Sequence, residues 1–220
     1  MVVFFERGLL VLKWTWLSGL ASDWNIWEDE LTVADMDAEH RFVPYVKEVQ
    51  SLQNIYSLSE VKNADVLVGM DFSALLMLKS VKHRPVKQKW ILLAPIIDFC
   101  HGEDAWPQKQ VLQVAKGVRK MPKVALQDVL NLFGPADEEY YESWMRTALQ
   151  MDPELIAQGF EYLANEKVDS PLALLNCEVR FGKEDEWITG AVVEAAKNLL
   201  QGAQVSVRPK VGHWPMSLID

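Results

Sequence analysis

The stretch from Ala64 to Leu78 constrains this chain more than any other. Ala64 and Val66 to Val68 form a short apolar run interrupted by Asp65, Gly69 allows a sharp turn, Ser73 and Ala74 are small, and Leu75 to Leu78 continue as an apolar helix. A buried strand, a tight turn and a helix, with small residues at the crossing, is the layout of a nucleophile elbow, G-x-S-x-G. The position that holds serine in that motif holds Asp71.

The flanking segments alternate strand and helix. Val2 to Phe5 and Leu9 to Trp16 are rich in β-branched and aromatic residues and read as strands, with a hairpin around Arg7-Gly8. Ser18 to Asp23 is a turn cluster, Trp24 to Glu30 a short helix start, and Leu31 to Asp35 a strand closed by the polar Asp37 to His40. Tyr45 to Val61 has near-helical spacing. Lys89 to Ile97 is a continuous apolar run of the kind a parallel strand shows when both faces are buried. From Trp106-Pro107 to about Leu172 the texture is helical only, broken at Pro122, Gly134-Pro135 and Asp152-Pro153. Leu172 to Gly182 returns to strand, Ala191 to Leu200 is a helix, and Val205 to Arg208 a last strand. The expectation is one domain over residues 1–220, an α/β fold with a mostly parallel central sheet, helices on both faces and residues 104–172 inserted as a helical cap. Sites in such sheets lie at the carboxyl ends of the strands.

Composition narrows the function classes. Of 220 residues half are hydrophobic, ample for one core, and a net charge of −9 argues against a nucleic-acid partner. The densest basic run, Lys79 to Lys89, reads as a solvated connection or as a surface that steers an acidic carrier. Two scattered cysteines, Cys100 and Cys177, suit a reducing cytoplasm. No run approaches the roughly 18 apolar residues of a membrane span, and the first residues lack the order of a signal peptide. No His or Cys set has metal-ligand spacing, and Gly69 to Ser73 lacks the glycines and lysine of a phosphate loop, so neither metal nor cofactor is expected.

Three segments follow predicted strands in an informative order: Asp71, then the acidic turn Lys183 to Glu186 with Asp185, then Gly212-His213-Trp214. Nucleophile, acid, histidine is the chain order of one large class of hydrolytic triads. Asp185 would fix the tautomer of His213 and leave its other nitrogen free. Asp98, at an earlier strand end, is the second candidate for the acid. The N–H groups of Phe72 and Leu20 stand where an oxyanion hole draws its donors. Trp214 and Phe72 flank the site in sequence and suit an apolar substrate pocket, to which Trp106, at the opening of the insert, is also assigned. His40, His83 and His101 lie in polar connections.

These segments resemble the α/β-hydrolases, and within them the pimeloyl-carrier-protein methyl ester esterases of biotin synthesis. Ser18-Gly19-Leu20-Ala21, followed by Trp27, is similar to the His-Gly-Trp-Gly and following Trp of those esterases. Gly69 to Ala74 matches their elbow Gly-Trp-Ser-x-Gly-Gly, Trp106-Pro107 a cap-opening Glu-Trp-Pro, and Gly159 to Leu163 a cap-closing Gly-Leu-x-x-Leu. Gly182 to Asp185 and His213 to Pro215 match the acid and histidine motifs. The resemblance implies an ester hydrolase acting on a small-molecule or carrier-bound acyl substrate, with Asp185 and His213 as acid and base. The serine does not carry over, and Ser18 replaces the usual His.

Asp71 changes the expected chemistry. An aspartate attacking an ester carbonyl forms an anhydride and must expel a far more basic alkoxide, whereas carboxylates do act as nucleophiles at saturated carbon. Asp71-Phe72 is similar to the Asp-Trp elbow of haloalkane dehalogenases and epoxide hydrolases. The alternatives to an ester hydrolase are therefore an aspartate-nucleophile hydrolase and a member that binds an acyl ligand or a protein without turnover.

Overall fold

The computed structural model describes residues 11–101 and 105–219. The strand expected at Val2 to Phe5, the hairpin at Arg7-Gly8 and residue 104 lie outside them. The chain runs through β1 (Lys13–Leu17), α1 (Glu28–Leu31), β2 (Glu39–Val43), α2 (Tyr45–Val49), α3 (Ser59–Lys62), β3 (Val66–Met70), α4 (Asp71–Lys79) and β4 (Lys89–Leu93). Four helices follow, α5 (Gln108–Lys120), α6 (Pro122–Leu130), α7 (Glu138–Gln150) and α8 (Pro153–Asn165). The last part holds β5 (Leu172–Ala173), β6 (Cys177–Gly182), α9 (Gly190–Leu199), β7 (Leu200–Gln201), β8 (Gln204–Arg208) and α10 (Pro215–Ile219).

Six strands form one sheet in the order β2-β1-β3-β4-β6-β8, every pairing parallel, and β5 with β7 makes a small separate pair. Every residue of β3 is buried, and all of β4 but its first, as a parallel sheet covered by helices requires. Parallel pairing in register aligns the strand ends: Leu17 stands opposite Gly69, Met70 opposite Leu93, and Leu93 opposite Arg180. The turns after β1, β3, β4 and β6 therefore leave from one edge.

The fully buried Trp16, Trp24, Trp27, Trp90 and Trp214 account for much of the aromatic core. Trp16 also explains His40, whose Nδ1 accepts from Trp16 Nε1 at 2.9 Å while Nε2 donates to the Asp35 carbonyl at 2.8 Å. That imidazole is a core contact.

Three segments differ from the sequence expectation. Leu31 to Asp35 is the end of α1 and a 3-10 turn, and the strand is Glu39–Val43 instead. β2 is an edge strand paired only with β1, so it tolerates Glu39 and Arg41, whereas Val33 and Met36 are exposed. Tyr45 to Val61 is not one helix, because Asn54 accepts from the Tyr56 amide and starts a separate 3-10 turn. Leu172 to Gly182 is two strands, divided at Asn176, which adopts a left-handed φ of 56°. The basic run ends where β4 begins, at the amino edge of the sheet. It lies opposite the edge that carries Asp71. Lys79 and Lys89 in it pair with Glu166 and Glu178. No helix among the described residues is long and apolar enough to cross a membrane.

Candidate active site

The elbow is tighter than the sequence suggests. β3 runs through Gly69 to Met70, and α4 starts at the next residue, so Asp71 alone makes the turn, at φ 40°. A non-glycine residue held in that region is strained, a feature that collects at functional positions. The Asp71 carboxylate lies at the edge of the sheet, between the start of that helix and the turn after β1.

There it meets the turn after β1. Oδ1 of Asp71 accepts from the amide of Leu20 at 2.9 Å and from the amide of Phe72. These are the two donors expected to form an oxyanion hole, and the carboxylate itself fills the space between them. Gly19 makes the approach possible: it has φ 82°, and a Cβ there would stand 3.1 Å from Asp71 Oδ1. Oδ2 lies 3.2 Å from Nε2 of His213, whose Nδ1 is 2.6 Å from Asp185 Oδ2. Asp185 is held in turn by the amides of Trp187 and Ile188, at 3.0 and 2.9 Å. Asp98 takes no part: its Oδ1 accepts from the amides of Cys100 and His101 and faces the His101 ring.

All three side chains are buried, His213 completely. Burial pulls the pKa of His213 down, but the charge and hydrogen bond of Asp185, followed by those of Asp71, outweigh it and raise it from 6.5 to about 9. The charged form of His213 is therefore favoured where it stands between Asp185 and Asp71.

The residue that sequence reasoning missed is Glu48. It is wholly buried beneath the β1 turn, its Oε1 accepting from the Ser18 amide at 2.5 Å and the Ser18 hydroxyl at 2.8 Å, while Oε2 bonds to the Ser73 hydroxyl. Ser73 Oγ also accepts from the Gly19 amide at 2.9 Å. Glu48 therefore ties the turn that carries the Leu20 donor to the helix that carries the Phe72 donor. A signal was present: in helical spacing Glu48 falls on the face of Tyr45 and Val49, both buried. Burial raises its pKa to about 8, against the hydrogen bonds from Ser73 and Ser18 and with help from the Asp71 charge.

Both shifts have the same sign for stability. A folded-state pKa above the unfolded value gives a contribution complete below the unfolded value and lost as pH rises through the folded one. For Glu48 that window runs from 4.5 to about 8, and for His213 from 6.5 to about 9. The thermal midpoint is expected to fall steadily between pH 6.5 and 9, and to fall less in Asp71→Asn, which removes one of the charges raising the His213 pKa. Calorimetry across that range checks it; an unchanged midpoint would contradict the buried charge arrangement.

The chamber beside Asp71 is nearly filled, with about 10 Å³ free, bounded in part by Leu20, Trp27, Phe133, Trp144 and Trp214. Of the two tryptophans read as pocket residues, only Trp214 lines it. Trp106 lies by a different cavity, and the Phe72 ring packs on Tyr45 and Tyr162.

Comparison of whole structures finds the same overall fold in solved proteins. An esterase from Exiguobacterium antarcticum superimposes with a TM-score of 0.76 at 14% identity, over 92% of this chain and 85% of that one. A thermophilic esterase from Thermogutta terrifontis gives 0.71 at 16% identity, over 94% and 84%. A bromoperoxidase from Bacillus anthracis gives 0.71 at 12% identity, over 92% and 85%. No family model matches the chain, and no curated protein matches it in sequence. At such identities the likeness establishes the fold: the chain has the α/β-hydrolase fold.

Proposed function

We propose that the protein is an ester-hydrolase-like enzyme in which Asp71, in place of a serine, is the group that becomes esterified. The observation that carries this is the division of labour between the two oxygens of Asp71. Oδ1 rests between the amides of Leu20 and Phe72, Oδ2 meets His213, and Asp71 lines the chamber. A substrate carbonyl has no hole to enter while Oδ1 occupies it, so acyl transfer of the serine kind is disfavoured. Attack by Oδ2 on saturated carbon uses the hole where it stands.

In this scheme Oδ2 displaces a leaving group from a primary alkyl carbon, the group departs as an anion, and the His213 imidazolium then gives up its proton to that anion or to solvent. Asp71 is now a neutral ester with Oδ1 as its carbonyl oxygen. Loss of the Asp71 charge lowers the pKa of His213, which leaves it a neutral base when one is needed. His213 takes a proton from water, the hydroxide adds to Cγ of Asp71, and the negative charge develops on Oδ1 between the two amides. Collapse expels the alcohol, which keeps the former Oδ2 and takes the proton of the new hydroxyl group. Asp71 is again a carboxylate, and His213 is again charged.

A carboxyl ester fits this scheme when it is cut on its alkyl side, the acid departing first. The substrate class we favour is a small alkyl ester of an acyl chain, free or bound to a carrier protein in the cytoplasm, as in the methyl ester esterases of biotin synthesis. Primary alkyl halides and epoxides suit the same carbon chemistry. In the resemblance-based assignment Asp185 orients His213, and residues 104–172 serve as the cap. A binding-only protein is the second reading, and the nearly filled chamber at Asp71 is the observation in its favour.

A single turnover in heavy-oxygen water, with enzyme in excess, tests the proposal. The label is expected in the peptide that contains Asp71 and not in the released alcohol. Label found in the product of that first turnover would mean that water attacks the substrate directly.

A further inference from the structure

A second cavity lies on the far side of the aromatic wall that closes the Asp71 chamber. It offers about 170 Å³, opens to solvent on one side and is lined chiefly by Phe99, Trp106, Val111, Val129, Phe160 and Trp187. Helices α5, α6 and α8 bound it together with the turns after β4 and β6. Its walls are almost wholly apolar, and the polar Gln110 and Asp128, both exposed, stand among its lining residues on α5 and α6. The wall is the stacked pair Phe133 and Trp187, 5.0 Å apart with planes 13° from parallel, Phe133 facing Asp71 and Trp187 facing the cavity. Trp187 is pinned there. Its amide donates to Asp185, its carbonyl accepts from Trp106 Nε1 at 3.0 Å, and its ring is 5.1 Å from that of His213.

We propose that this cavity is a binding site for an alkyl chain of about six carbons ending in an uncharged polar group, which stays at the Gln110 and Asp128 mouth. Three observations carry it. An apolar space slightly larger than the ~150 Å³ cavity known to hold benzene accepts a ligand of about six carbons. Its apolar walls leave water when an alkyl chain covers them, which favours such a ligand. The charged residue among its lining is Asp128, and a carboxylate at the mouth repels a ligand that ends in an anion. The site stands independently of the Asp71 chemistry, because no residue lines both cavities.

The test uses 1-hexanol, hexanoate and 1-dodecanol on the whole protein, read by tryptophan fluorescence, since Trp106 and Trp187 line the cavity, and by the thermal midpoint. Saturable one-to-one binding of 1-hexanol is expected, with hexanoate and 1-dodecanol at least about tenfold weaker. Val114→Phe, at a half-buried lining position, should weaken 1-hexanol at least about tenfold while leaving the unliganded midpoint nearly unchanged. Val129→Ala enlarges the cavity and should move the preferred chain toward 1-octanol, a readout that holds even if Val114→Phe folds poorly. Asp128→Asn should remove the discrimination against hexanoate. Asp71→Asn should bind 1-hexanol as the wild type does, whether or not Asp71 is a nucleophile. Absence of saturable binding, indifference of 1-hexanol to both valine variants, or loss of binding in Asp71→Asn would each overturn the proposal.

Discussion

Asp71→Ser is expected to turn over p-nitrophenyl esters at least ~100-fold faster than the wild type, which should stay close to the uncatalysed rate. The carboxylate occupies the place a substrate oxygen would take. Its Oδ1 sits on the amides of Leu20 and Phe72, the two donors that a substrate carbonyl oxygen needs as it becomes an oxyanion. A serine at the same strained position carries one oxygen instead of two. That oxygen would stand toward His213 and leave the amides free. The same change removes the Asp71 charge and hydrogen bond that help raise His213 to about 9, so the imidazole becomes the neutral base that serine chemistry requires. The activity of the variant should accordingly rise with pH through a value below 9. Rapid ester turnover by the wild type, abolished by Asp71→Ala, would contradict the filled hole. So would a serine variant with no gain whose Leu20 and Phe72 amides remain in place.

How much of this was legible depended on where each residue's partners lie along the chain. β3 and β4 were plain because both faces of each are covered, which leaves Val66 to Val68 and Ile91 to Leu93 as uninterrupted apolar runs. β2 was hidden because an edge strand needs only half of that pattern, so Glu39 and His40 read as the polar close of an earlier strand. Asp185 and His213 could be placed from strand ends and chain order, since parallel register delivers such turns to one edge. Glu48 could not be placed that way. Its partners, Ser18 and Ser73, are 30 and 25 residues distant, and an acid in an amphipathic stretch is ordinarily solvated. The spacing of the tryptophans gave no hint that Trp106 and Trp214 would line separate cavities, because that depends on where Phe133 and Trp187 stack. The filled oxyanion hole was also beyond reach of the sequence, as it follows from a positive φ at Asp71 and the missing Cβ of Gly19 acting together.

The central claim is that Asp71 is alkylated and that His213 releases it. Replacing the imidazole removes the base that activates water, while the attacking carboxylate and its two amide donors stay in place. His213→Gln is therefore expected to lose at least ~1,000-fold in turnover and to accumulate a covalent ester. The most direct measurement is the intact mass of His213→Gln after exposure to small alkyl esters, primary alkyl halides and epoxides, followed by mapping of the modified peptide. One added alkyl group per chain is expected, on Asp71, absent from the double variant Asp71→Asn, His213→Gln. An unmodified protein across the whole panel, or an alkyl group on any other residue, would contradict it.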